Sequence, residues 1–137
     1  MRQHKSFFQS RQKGLMLAAS LYVVALMISH STLPTMHVWV IAAVFSIIMN
    51  FTYITEAYSQ GRLMRPELII MLTLISASLL GVTVHPLFVI LAIFGHGLWD
   101  IAKHFGAGIP FFRWYTLGCF AADVTYGTVL LTYWALS

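Results

Sequence analysis

Residues 86–104 read PLFVILAIFGHGLWDIAKH. The segment is almost entirely apolar up to Trp99, apart from His96, and His96, Asp100 and His104 stand in it at i, i+4 and i+8. In a helix, residues four apart lie on one face and drift by only about 40° per step, so the three form a polar stripe about two turns long. A second stripe with the same spacing, Cys119 and Asp123, lies in the next apolar segment. An ionisable side chain inside a membrane helix costs roughly 2.5–3.5 kcal/mol on insertion scales, which makes such residues functional candidates by default.

That these segments are membrane helices follows from composition. The chain has 137 residues, of which 59% are hydrophobic and only 9% charged, and its mean hydropathy is +0.81. So few charges cannot cover a water-soluble core, so the solvent for most of the surface is lipid, and no length remains for a soluble domain. The single cysteine, Cys119, excludes an intrachain disulfide framework and a multi-cysteine zinc or iron–sulfur site within one chain.

Five apolar segments are read, at about 14–31, 37–56, 67–84, 86–104 and 113–136. The third and fourth are short, roughly 27–28 Å of helix, enough for a thin bilayer. They are separated only by His85-Pro86, so one long kinked helix is the competing reading. Charge decides. With five spans, Arg2, Lys5, Arg11, Lys13, Arg62, Arg65, Lys103 and Arg113 all fall on one side, whereas four spans would put Lys103 and Arg113 on the other. The expected fold is an all-α integral membrane protein, a single transmembrane domain over residues 1–137. It is a five-transmembrane-helix bundle with the N-terminus cytoplasmic and the C-terminus outside, in the plasma (inner) membrane.

The N-terminus resembles a secretory signal but offers no small-x-small site after Met27, so it reads as a signal anchor. Its basic flank, with Phe7 and Phe8, is expected on the anionic inner leaflet. The net charge of +4 needs no nucleic-acid partner. The loop Phe105–Phe112 (FGAGIPFF) is apolar enough to dip into the interface, and Trp114, Tyr115, Tyr133 and Trp134 bracket the last helix as an aromatic belt would.

With this orientation, depth follows from the cytoplasmic helix ends at roughly 1.5 Å per residue. His104 lies at the boundary, Asp100 about 6 Å in, His96 about 12 Å in, Cys119 about 9 Å in and Asp123 about 15 Å in. Glu56 reaches the same boundary on the second helix, with Asn50 about 9 Å in. The fourth and fifth helices, joined by a short loop, are expected as antiparallel neighbours. The second, fourth and fifth then converge on one polar pocket in the inner half of the membrane. Gly95, Gly97, Gly106, Gly108 and Gly118 would permit close backbone approach there.

Imidazole nitrogens and carboxylate oxygens suit a divalent transition metal, and an i, i+4 pair can reach one ion. The candidate ligands are His96, Asp100, His104 and Asp123, with His96, Asp100, Asp123 and Glu56 as the candidate catalytic set. All three stripe members on one ion is disfavoured, because i and i+8 are about 12 Å apart. The same groups also suit a proton relay, or an interhelical hydrogen-bond network that only holds the bundle together. Lys103 and His104, at the membrane edge, read as residues that snorkel into water. Cys119 reads first as a packing residue, and His30, His37 and His85 as solvated helix ends near the outer surface. No phosphate loop, nucleotide fingerprint or serine-nucleophile motif occurs.

The stretch from about His96 to Leu131 resembles an uncharacterised family of small polytopic membrane proteins. The shared pattern is a His-x-x-Trp-Asp-x-x-x-His helix (His96, Trp99, Asp100, His104), a turn with Gly106 and Pro110, and a Cys-x-x-x-Asp helix (Cys119, Asp123). The residue before the second histidine, often another histidine in that family, is Lys103 here. The resemblance points to these residues and implies no reaction. The sequence leads to a membrane-embedded protein with an intramembrane His/Asp site that binds a divalent transition metal and acts on a lipophilic small molecule. The alternatives are a proton-coupled carrier or channel, possible as a homo-oligomer, and an accessory subunit of a larger membrane complex.

Overall fold

A computed structural model of the chain describes residues 11–59, 61, 65–108 and 113–136. The expectations for Phe7 and Phe8, and for the 109–112 part of the apolar loop, lie outside the described residues. Among those residues the chain is all-helical, with five α-helices: α1 (Gln12–Ser29), α2 (Thr35–Ser59), α3 (Arg65–Thr83), α4 (Leu87–His104) and α5 (Arg113–Leu136). Each falls on one of the five apolar segments, and α2 extends three residues past the expected 56. Contacts divide the chain into two units, Met1–Thr32 with α1 and Leu33–Ser137 with α2 to α5.

Three helices are long and apolar enough to cross a membrane: Thr35–Tyr58, Arg65–Thr83 and Leu87–His104, with mean hydropathies of 1.9, 1.8 and 1.3. In α1 the apolar run is shorter, Met16–Ser29. The surface agrees with a lipid environment. Leu72, Leu79, Leu91, Leu98 and Leu117 are exposed while Asn50, Glu67, His96, Asp100 and Asp123 are buried, the reverse of a protein folded in water. The exposed hydroxyls of Thr52, Thr73, Ser76, Thr83, Thr128 and Thr132 each bond the carbonyl one turn earlier. A lipid-facing helix therefore shows no hydroxyl in need of water at these positions. These features mark a membrane protein.

The helix ends follow local chemistry. Pro86 caps α4 with φ −55°, and the His85 imidazole Nδ1 accepts the Leu87 N–H at 3.2 Å, one of the donors a helix start leaves unpaired. His85-Pro86 thus separates two helices instead of kinking one. At the other end Gly106 takes φ 99°, and the Ala107 N–H reaches back to the Ala102 carbonyl at 3.0 Å, closing α4 with a left-handed turn that favours glycine.

Within the second unit, α3 and α4 form an antiparallel hairpin. Gly81 faces Val89, Gly95 faces Leu74, and Lys103 bonds Glu67, a steady register from one end to the other. A Cβ on Gly81 would lie 2.4 Å from the Val89 Cβ, so glycine is what lets these helices close next to the turn. Helices α4 and α5 are antiparallel in the same way. Phe94 packs on Gly127, Gly97 on Asp123, and His104 reaches Thr116. Helix α2 lies across both, through Ser46–Ser78 to α3, Asn50–His96 to α4, and edge-on aromatic contacts of Trp39 with Tyr133 and Phe45 with Tyr126 to α5.

Candidate metal centre

The α4 stripe becomes a site because of what α2 and α5 bring against it. Helical spacing puts His96 and Asp100 on one face, with His96 Nε2 3.4 Å from Asp100 Oδ1. From α5, Asp123 Oδ2 stands 3.9 Å from the same nitrogen. It can come that close because its Cβ lies against Gly97, where an added Cβ would be 3.2 Å away. One ligand atom from each of His96, Asp100 and Asp123 lies within 4.8 Å of the other two. All three residues are buried, at 1%, 0% and 1% exposure.

The hydrogen bonds around the group fix which atoms face inward. The Asn50 amide donates from Nδ2 to the Ser46 carbonyl at 2.8 Å, which turns its oxygen towards His96. His96 Nδ1 then donates to Asn50 Oδ1 at 2.9 Å. This bond selects the tautomer with the proton on Nδ1 and leaves Nε2 a lone pair. The Tyr53 hydroxyl donates to Asp100 Oδ1, and the Tyr53 ring stacks on the His96 imidazole with centroids 5.3 Å apart and planes 20° from parallel. Three inward atoms, His96 Nε2, Asp100 Oδ2 and Asp123 Oδ2, have no donor among the described residues, and the two carboxyls meet each other, a contact that needs a proton or a cation between them. All three are acceptors. Leaving such groups unpaired in a dry interior costs about 1–3 kcal/mol each, more for a charged group, so their convergence calls for a cation or for protons.

The spacing fits a metal. Two N or O ligands at about 2.0–2.2 Å from a tetrahedral ion are separated by about 3.3–3.6 Å. The 3.4 Å separation, to the Asp100 oxygen that Tyr53 also bonds, falls in that range; the 3.9 Å separation is wider, and the three ligand atoms, all within 4.8 Å of one another, would close slightly around an ion. A histidine tied at Nδ1 to a carbonyl-type oxygen, with Nε2 directed at the site, is the usual outer support of a ligating imidazole.

Not every residue expected at the site is there. His104 lies one turn beyond Asp100, half-buried, and its Nδ1 meets the Thr116 hydroxyl at 3.2 Å. Glu56 is buried on α2, three residues past Tyr53, and is not one of the three grouped residues. Cys119 is a free, buried thiol one turn from Asp123. Lys103 departs from the expected snorkelling. Its side chain is buried and bonded to the Glu67 carboxylate, with the ammonium 4.8 Å from the centre of the Tyr53 ring and 5.6 Å from that of Trp99. The α3–α4 hairpin register brings the two charges together, and the aromatic rings give the ammonium a partner other than water. Tyr53 and Glu67 had not stood out in the sequence. Glu67 could have been found by pairing each charge on α3 with its hairpin opposite on α4.

The chain matches no protein-family model, no curated protein and no solved structure.

Proposed function

We propose that the chain is a five-span membrane protein that holds one divalent transition-metal ion on His96, Asp100 and Asp123 and uses it on a lipophilic small molecule. The observation that carries this reading is the convergence, from two helices, of three buried acceptor atoms for which the described residues offer no donor. Charge supports it. Glu67 and Lys103 cancel, His96 is neutral in the tautomer Asn50 selects, and a doubly charged cation would balance Asp100 and Asp123 as two carboxylates, taking the place of the proton that their contact otherwise needs. One imidazole and two carboxylates form a donor set for zinc, manganese or iron(II) more than for copper(I), which prefers sulfur.

His96, Asp100 and Asp123 would hold such an ion, and the chemistry it would supply there is that of a Lewis acid. The chain's own residues do the rest. Asn50 and Tyr53 hold His96 and Asp100 in place, the closely packed α4–α5 interface keeps water out, and Glu56 is the acid we assign to proton exchange. A lipophilic substrate is the class that helices with exposed leucine and phenylalanine side chains would meet in the bilayer. A proton-coupled carrier is the second reading, favoured by the Tyr53–Asp100 bond and the Lys103–Glu67 pair, which extend the ionisable groups to the end of α4.

Metal analysis separates the two. Protein purified without chelator is expected to carry about one equivalent of a divalent transition metal. A metal-free protein with proton-driven uptake in liposomes would favour the carrier.

The five-span topology, with the N-terminus cytoplasmic, rests on the one-sided placement of the basic residues. Helices α1 and α5 complete the count. In α5, Thr116, Cys119 and Asp123 are buried, so three of the polar groups that lower its hydropathy face inward. In single-cysteine variants, Gly61→Cys and Ala107→Cys should be labelled from the cytoplasmic side and His85→Cys from the outside. Labelling of His85→Cys from the cytoplasm would remove the five-span arrangement.

A further inference from the structure

A site sealed to 1% exposure or less needs a route by which its ion arrives. The turn of α4 and α5 next to it, towards the His104 end of the bundle, carries ligand chemistry that the resting group does not use. On α4, His104 follows Asp100 by one turn and is half-buried. The Thr116 hydroxyl donates to the Arg113 carbonyl at 3.1 Å, so its oxygen accepts the bond from His104 Nδ1 at 3.2 Å. As at His96, the proton is held on Nδ1 and Nε2 is left with a lone pair. On α5, Cys119 precedes Asp123 by one turn, is 9% exposed, and lies within electrostatic reach of both the Asp100 and Asp123 carboxylates. Its sulfur is not among the three grouped ligand atoms. Beyond it stand the three acceptor atoms of Asp100, Asp123 and His96.

We propose that His104 and Cys119 are a loading track along which a divalent transition-metal ion is handed, from the His104 end of the bundle, to His96, Asp100 and Asp123. This rests on the metal reading above. The order is set by geometry: a half-buried imidazole at the helix end, then a buried thiol, then the closed group. Along its own helix each track residue stands one turn from a ligand of the closed group, His104 from Asp100 on α4 and Cys119 from Asp123 on α5, a rise of about 6 Å. The Cys119 thiol releases its proton to the medium as it takes the ion and regains one as the ion moves on.

The test follows the loading of chelator-stripped, full-length protein with Co²⁺ by stopped-flow absorbance. Wild type is expected to show a transient thiolate-to-cobalt charge-transfer band that decays into the spectrum of a site with only nitrogen and oxygen ligands. Cys119→Ser should lose the transient, and both Cys119→Ser and His104→Ala should load about tenfold more slowly to the same final ratio. If wild type takes up no cobalt, the metal reading falls and the track with it. If wild type loads without any thiolate band, or both variants load as fast as wild type, the track falls and the metal reading stands. The band in wild type needs no variant, so a poorly folding substitution does not protect the proposal.

Discussion

Asp123→Asn is expected to bring the metal bound per chain from about one equivalent to near zero while the protein still inserts and folds. The amide keeps the shape of the carboxylate but gives up the charge and the second acceptor oxygen, and Asp123 Oδ2 is one of the atoms that would hold the ion. The loss should exceed the roughly 10–100-fold seen when an outer partner of a ligand is removed. Asp100→Asn should act the same way, because its carboxylate faces both His96 and the Tyr53 hydroxyl. Stability should move in opposite directions in the two states. Without metal, Asp123→Asn relieves the meeting of two buried carboxylates and should be more stable than wild type; with saturating metal, wild type should be the more stable. If the group only tied helices together, the amide would still donate and accept hydrogen bonds, and the substitution would be nearly silent in both conditions. Metal content and denaturation midpoints, each with and without added metal, make the comparison.

Lys103→Met should cost about 3–5 kcal/mol, because it strands the Glu67 carboxylate in a buried position without its ammonium. Glu67→Leu in the same chain should restore most of that loss, since removing both charges leaves apolar side chains at an apolar contact. Denaturant titration of the single and double variants in one detergent measures both quantities. A lysine that merely snorkelled at the membrane edge would give a change within about 0.5 kcal/mol for the single variant and no recovery in the double. The pair also bears on the site. Lys103 packs over the Tyr53 ring, so its loss should loosen the residue that holds Asp100.

The five helices were legible because lipid imposes continuous apolar runs, and proline, glycine and charge mark where they stop. His96 and Asp100 were legible as a pair because helical spacing fixes their shared face, and Asp123 because a carboxylate is so costly among Val124, Phe120 and their neighbours. Tyr53 was not legible. An aromatic residue in an apolar helix reads as packing, and only the parallel approach of α2 to α4 shows that its hydroxyl meets Asp100. Lys103 misled for a related reason. Its position at a helix end permits snorkelling, and its partner lies 36 residues away in sequence, where only the hairpin register reveals it. His104 obeyed the stripe spacing yet stands too far along α4 to join His96, since a helix advances about 12 Å over the eight residues between them and one ion cannot bridge that.

The most direct measurement is X-ray absorption at the metal edge of loaded wild-type protein. The account predicts nearest neighbours of nitrogen and oxygen only, at about 2.0–2.2 Å, with the outer scattering of one imidazole that disappears in His96→Ala. A sulfur neighbour at about 2.3 Å in the resting protein, or an imidazole signal that survives in His96→Ala, would contradict it.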